Sequence, residues 1–336
     1  MDIKPEIQYV SAALSIMQEQ SLCASNILDW KQFREEIFFQ ANSCKSISEA
    51  HTVIRTALAK LSDKHSFLIT PENHQATYDN PAPPLPSGEF VHGIAYLQIP
   101  HYVRTRKLDY TGYADQIQKI ISELDKEQPK GWVVDLRKNG GGDMWPMIAG
   151  LGPLLGEGVL GHLKYFNGPM SGNFSYSYRA GTSLWDDKAI NAQVSSTPYH
   201  LENEGRPIAI LVSERTASSA EAVLIGFIGN PNACIFGMPT AGLSTGNSPF
   251  DLPDGSKLYV TTGVFTDRTG KEYGRPIIPD VMVPMSASSS ELINDPAFLK
   301  AHEWITANAP LTPLPRQNLK RSIAGNSVAK SSQAIL

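Results

Sequence analysis

Residues 207–238, PIAILVSERTASSAEAVLIGFIGNPNACIFGM, contain a strand, a turn, a helix and a second strand. PIAILVS (207–213) is an almost unbroken apolar run of the kind that forms a strand buried on both faces. SAEAVLIGFIG (219–229) is long enough for a helix, and ACIFGM (233–238) is another short apolar run. Strands that alternate with helices in this way predict an α/β core with helices covering a sheet.

The same alternation extends upstream and downstream of this stretch. It comprises the strand GIAYLQIP (93–100), the amphipathic helix YADQIQKIISELDKE (113–127), the buried strand GWVVDLR (131–137), the helix MWPMIAGLGPLLG (144–156) and the hairpin LYVTTGVFTDRTGKEY (258–273). Residues 159–204 alternate polar and aromatic residues between turns, which indicates a β-hairpin cap or excursion. We therefore expect one core domain over residues 76–285 that includes this cap.

The regions outside the core have different compositions. ILDWKQFREEIFFQANS (27–43) and ISEAHTVIRTALAKL (47–61) repeat their apolar residues with helical spacing, so residues 1–75 are predicted to form a small helical bundle. The proline-rich segment NPAPPLPSGEF (80–90) is expected to be a linker. Residues 286–336 are expected to hold one short helix, AFLKAHEWI, followed by a poorly ordered tail.

Composition excludes several classes of function. The chain has 336 residues, 41% hydrophobic and 18% charged, with a net charge of −4, as in an ordinary globular protein. It lacks the basic surface that nucleic acids or anionic membranes require. Its three cysteines form no CxxC pair, so neither a zinc site nor a disulfide framework is expected. The sequence shows no signal peptide or membrane span, which predicts a cytoplasmic location, or an extracytoplasmic one if a leader has been removed.

Ser218 is a candidate nucleophile because it lies where a buried strand turns into a helix. A hydroxyl at that position is close to the positive end of the helix and to N–H groups that lack helical partners. The next N–H group, that of Ser219, can stabilise an oxyanion. The alternative is a structural one, in which Ser218 and Glu221 form a helix capping box, S-x-x-E.

Two upstream segments carry further candidates. In DLRKNGGGD (135–143), three glycines follow a buried strand and allow the backbone to approach a bound group, as an oxyanion hole requires. A flexible turn or a phosphate loop is the alternative, although the spacing fits no nucleotide motif. In LSDKHSF (61–67), His65 could be a general base, or simply a cation that favours the end of the preceding helix.

Taken together, these segments resemble the tail-specific (C-terminal processing) serine peptidases. The shared motifs are T-A-S-S-A-E (216–221), D-L-R-x-N-G-G-G (135–142) and D-x-H-S (63–66), in the order of that family, and PIIPDVMV (276–283) is similar to its terminal segment. The resemblance covers residues 60–285. It implies a ClpP/crotonase-like α/β fold and a serine endopeptidase that cleaves peptides or proteins near the C-terminus, without a cofactor.

The motifs also distinguish two branches of that family. One branch uses a lysine as its base, and the matching position here is Leu243; Lys257 lies in a different strand. The other branch keeps a histidine and includes the nisin resistance peptidases, the tricorn core and retinoid-binding relatives. His65 matches that histidine, and residues 66–90 leave no room for a PDZ module.

The resemblance implies a role for each candidate residue. Ser218 is the nucleophile, His65 its general base, and the N–H groups of Ser219 and Gly141 form the oxyanion hole. Glu272, shortly before the terminal segment, is the candidate for a carboxylate that organises the site. A peptide or protein is the expected partner, and the oligomeric state is not predicted.

Two other functions compete with this interpretation. Gly242-Leu243-Ser244-Thr245-Gly246 matches the G-x-S-x-G pattern of α/β-hydrolase esterases, but that motif requires a helix directly after the serine, and NSPFDLPDG (247–255) is expected to form turns. A non-catalytic binding module on the same fold is the second alternative. The presence of Ser218, His65 and the glycine segment together favours an enzyme.

Overall fold

The structure, a computed structural model, describes residues 3–80, 84–167, 171–284 and 291–310. Its α-helices are α1 (Pro5–Gln20), α2 (Trp30–Ala41), α3 (Ile47–Lys60), α4 (Pro71–Tyr78), α5 (Tyr110–Asp125), α6 (Met144–Leu155), α7 (Ser219–Phe227) and α8 (Pro296–Asn308). Its strands are β1 (Phe67–Ile69), β2 (Ser87–Val91), β3 (Ile94–Gln98), β4 (Trp132–Asp135), β5 (Gly158–Tyr165), β6 (Gly172–Arg179), β7 (Thr182–Trp185), β8 (Ala189–Gln193), β9 (Ile208–Val212), β10 (Ala233–Gly237), β11 (Thr245–Asp251), β12 (Lys257–Asp267) and β13 (Val281–Met282). The predicted poorly ordered tail lies outside these ranges from residue 311 onward.

A mostly parallel sheet forms the centre of the molecule, with the strand order β13-β10-β9-β4-β3-β2. Its central strands are buried on both faces. Trp132 and Val134 of β4 pack into the same cluster as helices α5 and α6, whereas Val133 between them packs with α8 on the other face. This burial explains why the strands appear in the sequence as continuous apolar runs, and the predicted α/β fold is confirmed.

A second sheet, entirely antiparallel, has the order β1-β12-β5-β6-β7-β8, and β11 also pairs with β12. The segment 159–204, expected to be a cap, contributes β5 to β8. Because β5 pairs with the long strand β12, these strands continue the second sheet. They are therefore joined to the core and do not form a separate excursion.

Helices α2 and α3 each begin directly after a residue whose side chain caps them. The Asp29 side chain accepts the N–H groups of Lys31 and Gln32, and Ser46 accepts the N–H of Glu49. The buried faces of α1 to α3 share one hydrophobic cluster with residues of β11, β12 and the turn between them. The bundle thus packs on the second sheet. Within the described ranges, no helix has the length and apolar character needed to cross a bilayer.

Three local predictions differ from the structure. The second half of the predicted linker 80–90 is the edge strand β2, a place where nearby prolines are tolerated. The segment 247–255, expected to be turns, begins with most of β11, whose residues pair with β12. In the predicted hairpin 258–273, β12 pairs with β1, β11 and β5, and the returning strand is reduced to a single bridge between Thr266 and Glu272.

Candidate active site

Ser218 lies in the turn between β9 and α7, at the carboxyl end of the parallel sheet. Its backbone has φ 54° and ψ −120°, a conformation that side-chain-bearing residues rarely adopt and that costs about 1–3 kcal/mol. The carboxylate of Glu221 holds this turn by accepting the Ser218 N–H at 3.0 Å, and the Glu221 N–H donates to the Ser218 carbonyl at 2.8 Å. The Ser218 hydroxyl is therefore presented at the surface of a rigid, strained turn, as in a nucleophile elbow.

His65 lies beside Ser218, 153 residues earlier in the sequence. Its Nε2 is 2.8 Å from Ser218 Oγ, and its Nδ1 is 2.6 Å from Thr245 Oγ1. The turn that carries it after α3 is closed by Asp63, whose Oδ1 accepts the His65 N–H at 2.9 Å. The Asn247 side chain donates to the His65 carbonyl at 2.7 Å. His65 is thus held by its ring and by its backbone.

The electrostatic environment favours neutral His65. The residue is only 9% exposed, and this burial lowers the pKa of its imidazole, while the negative charge of Asp63 raises it by a smaller amount. A neutral imidazole at pH 7 can accept the proton of the Ser218 hydroxyl. The pair therefore has the geometry and the charge state that a nucleophile and its base need.

The glycine segment after β4 lies directly against Ser218. A Cβ on Gly141 would lie 2.8 Å from both Ala217 O and Ser218 Cβ, and its φ of +104° disfavours any side chain. The Gly141 N–H, however, donates to Asn139 Oδ1 at 2.9 Å. The geometry therefore does not support Gly141 as the oxyanion donor.

Other N–H groups around Ser218 are free to serve as oxyanion donors. Among the described residues, the N–H groups of Gly140, Gly142 and Ser219 have no hydrogen-bond acceptor. All three residues line a cleft whose wall also includes His65 and Ser218. The Ser219 hydroxyl donates to the Gly142 carbonyl at 2.8 Å, which ties the start of α7 to the glycine segment. The two segments named by the sequence motifs are thus joined beside Ser218.

Glu272, expected to organise the site, lies elsewhere. Its carboxylate forms an ion pair with Lys164 of β5 at 2.7 Å, its side chain is 48% exposed, and it does not line the cleft. The buried carboxylate that contacts the Ser218 turn is that of Glu221. Its Oε1 accepts the Thr240 hydroxyl at 2.5 Å and the Gly242 N–H at 3.0 Å.

The residues considered for a lysine base or an esterase nucleophile do not lie where those reactions require them. Lys257 pairs with Asp251 on the surface at 2.6 Å, and Leu243 lines the cleft at the position of the other branch's lysine. Ser244 is fully buried, and its hydroxyl donates to the Arg275 carbonyl and accepts the Gly274 N–H. A strand follows Ser244 where an esterase elbow requires a helix.

Sequence reasoning missed Thr245 and Asn247, which contact His65 from β11. Both residues come shortly after Leu243, the position that matches the base of the lysine branch. That proximity in sequence was the one signal that could have identified them. The cleft itself encloses about 500 Å³ and has many aromatic and aliphatic side chains in its walls. These are Phe67, Met144, Trp145, Leu163, Tyr165, Trp185, Leu243, Tyr259 and Phe265.

Comparisons with known proteins agree with this geometry. Residues 93–283, more than half of the chain, match peptidase family S41. The chain is 29% identical over 295 residues to the nisin-resistance protein of Lactococcus lactis subsp. lactis, covering 84% of this chain and 85% of that protein. It is 26% identical to the chloroplastic carboxyl-terminal-processing peptidase 2 of Arabidopsis thaliana, over 52% of this chain and 30% of that protein.

A solved structure extends the similarity to nearly the whole fold. A lipoprotein from Streptococcus agalactiae superposes with a TM-score of 0.69 at 26% identity, covering 91% of this chain and 99% of that one. The family match and the processing-peptidase relatives indicate the same class of enzyme. The chain belongs to peptidase family S41 and is a serine-type peptidase.

Proposed function

We propose that the chain is an endopeptidase in which Ser218 is the nucleophile and His65 the general base. The observation that carries this proposal is the 2.8 Å contact between His65 Nε2 and Ser218 Oγ at a strained turn beside free backbone N–H groups. His65 takes the hydroxyl proton as Oγ attacks the peptide carbonyl, and returns it to the leaving amine. Water then hydrolyses the acyl-enzyme with His65 again acting as base.

The oxyanion formed during attack needs donors that are in place beforehand. We propose that the Ser219 N–H is one donor and that Gly140 or Gly142 supplies the other, since their N–H groups have no acceptor among the described residues. Gly141 serves a different purpose, because its missing side chain lets the segment approach Ser218. Each oxyanion donor contributes roughly two to three orders of magnitude to kcat.

The walls of the cleft support cleavage of internal bonds beside apolar residues. Its aromatic and aliphatic lining can bury apolar side chains of a peptide. No lysine or arginine is among the described residues that line it, so the cleft offers no cation for a terminal carboxylate. Together with relatives named for carboxyl-terminal processing, this favours cleavage of a bond upstream of the C-terminus in an unstructured peptide or protein.

Substitution and labelling of Ser218 test the proposal directly. Ser218→Ala should lower peptide hydrolysis by roughly four to six orders of magnitude. It should leave the fold intact, because the Ser218 turn is held through its backbone N–H by Glu221, and the lost hydroxyl forms its hydrogen bond with the His65 ring. A fluorophosphonate should label Ser218, as located by mass spectrometry of the digested protein. Retention of hydrolysis by Ser218→Ala, or no label on Ser218 in a protein that binds peptides, would overturn the assignment.

A further inference from the structure

The second nitrogen of His65 has an unusual partner for a catalytic base. Nδ1 lies 2.6 Å from Thr245 Oγ1, while the carboxylate of Asp63 bonds the backbone N–H groups of His65 and Ser66. In the part of the chain that the structure describes, both nitrogens of the ring are therefore hydrogen-bonded to hydroxyl groups and neither to a carboxylate. In a serine, histidine and aspartate triad, a carboxylate orients the imidazole.

We infer that Thr245 is the positioning residue of this site, its hydroxyl accepting the Nδ1 proton of His65 and leaving Nε2 free to accept the proton of Ser218. The inference rests on the proposed function and names a group that the function requires. A neutral imidazole carries one N–H, and the hydrogen bond made by one nitrogen decides which of the two is protonated. An acceptor at Nδ1 therefore selects the tautomer that can act as base.

The second sheet holds Thr245 in place for this purpose. Thr245 is the first residue of β11 and pairs with Val264 of β12. Two residues later, Asn247 donates to the His65 carbonyl and accepts the Thr261 hydroxyl at 2.9 Å. The same strand therefore fixes both the ring and the backbone of His65, so the orientation of the base depends on β11.

A hydroxyl at this position differs from a carboxylate in one respect that can be measured. It orients the ring but adds no negative charge to stabilise the imidazolium. Burial lowers the pKa of His65, and the negative charge of Asp63, on the same turn, raises it by a smaller amount. The two other segments in contact with the ring contribute Ser218 and Thr245, which are both neutral. The acid limb of kcat/KM should accordingly lie below the ordinary histidine value of about 6.5.

Thr245→Val tests the inference, because it keeps the shape of the side chain and removes only the acceptor. We expect kcat to fall roughly 10- to 100-fold, by analogy with the loss of activity when the outer hydrogen-bond partner of a metal-binding histidine is removed. KM should change little, since the surface toward the substrate is kept. The acid limb should move to lower pH, because the imidazolium loses the acceptor of its Nδ1 proton. Thr245→Ser should restore both kcat and the pH profile.

Thr266→Val is the matched control. Thr266 lies in the buried part of β12, its hydroxyl has no partner among the described residues, and it does not line the cleft. The same change of side chain there should leave kcat and the pH profile as in the parent protein. If Thr245→Val behaves like Thr266→Val, or if Thr245→Ser fails to restore the profile, Thr245 does not position the base.

A spectroscopic measurement separates this inference from the proposed function. With nitrogen-15 in the eight histidines, the resting His65 should show its proton on Nδ1 in the parent protein and in Ser218→Ala, and should lose that preference in Thr245→Val. Hydrolysis by Ser218→Ala would overturn the proposed function and leave the tautomer result standing. A proton on Nε2 in the parent protein would overturn the role of Thr245.

Discussion

Ser218 keeps a strained backbone because Glu221 bonds the turn on both sides. The Glu221 carboxylate is fully buried; burial raises its pKa, while hydrogen bonds from Thr240 and from the N–H groups of Ser218 and Gly242 act in the opposite direction. The S-x-x-E pattern therefore serves two purposes. Its glutamate caps the first turn of α7, as in a capping box, and the serine hydroxyl remains available to His65.

Gly141 gives a prediction at the scale of a single residue. Gly141→Ala places a methyl group 2.8 Å from Ala217 O and Ser218 Cβ, at a φ of +104°. We expect it to lower the free energy of unfolding by about 1–3 kcal/mol and to reduce kcat, because Ser218 must move. Urea unfolding and kcat measurements check both effects.

Gly140→Ala is the control for stability, since no atom lies within 4 Å of the Cβ it would add. Its free energy of unfolding should stay within about 0.5 kcal/mol of the parent value. Equal stability and equal kcat for the parent protein and Gly141→Ala would show that the glycine segment does not lie as close to Ser218 as the structure has it.

At the scale of elements, the D-L-R motif joins the central sheet to α8. The Arg137 guanidinium donates to Asp135 at 2.6 Å and to Asp295 at 2.5 Å, and all three side chains are largely buried. Asp295 also accepts the Ala297 and Phe298 N–H groups as the N-cap of α8. The motif therefore fixes the helix that covers one face of the sheet.

Arg137→Ala should consequently be strongly destabilising. It leaves the buried Asp135 carboxylate without its cation, a loss that typically lowers the free energy of unfolding by about 3–5 kcal/mol. Lys300→Ala, which breaks an exposed pair with Glu303 on α8, should cost less than about 1 kcal/mol. Urea unfolding of the two variants gives the comparison, and similar losses in both would contradict a structural role for the buried pair.

The same elements show which features the sequence could predict. Strands β4, β9 and β10 were predictable because strands buried on both faces are continuous apolar runs. Strands β2 and β11 contain exposed residues and lie beside or include prolines, so local pattern favoured a linker and turns.

In the candidate site, Ser218 and His65 belong to local motifs, whereas the Thr245 contact spans 180 residues and depends on how β11 pairs with β12. The position of Glu272 depends on where β12 ends and on its partner β5, neither of which spacing along the chain determines. Local motifs were therefore sufficient to point to Ser218 and His65, whereas the residues that surround them depend on long-range strand pairing.

At the scale of the whole molecule, the site brings together residues from three structural units. Ser218 comes from the parallel sheet, Thr245 from the antiparallel sheet, and His65 from the turn that follows the N-terminal helices. The alignment of His65 with Ser218 therefore depends on how the bundle packs on the second sheet. Asp254, in the turn between β11 and β12, lies at that contact and accepts the Tyr9 hydroxyl and His51 Nε2, each at 2.8 Å.

Asp254→Asn tests whether this carboxylate fastens the bundle to the sheet. Burial raises the pKa of Asp254, but hydrogen bonds from Ser256, His51 and Tyr9 outweigh it and lower the pKa to about 2. The unfolded value is about 3.9, so the stabilisation is complete above that pH and is lost as the pH falls toward 2. We expect Asp254→Asn to lower the free energy of unfolding by about 1–3 kcal/mol at neutral pH, because it replaces an acceptor of several hydrogen bonds. The difference from the parent protein should shrink below about pH 4.

Asp251→Asn on the same hairpin is the control. Its carboxylate is 80% exposed, so the substitution should lower the free energy of unfolding by less than about 1 kcal/mol throughout. Urea unfolding of the three proteins between about pH 7 and pH 3 measures these differences. A loss in Asp254→Asn that equals that of Asp251→Asn, or that stays constant over this range, would show that the bundle is held by its apolar contacts alone.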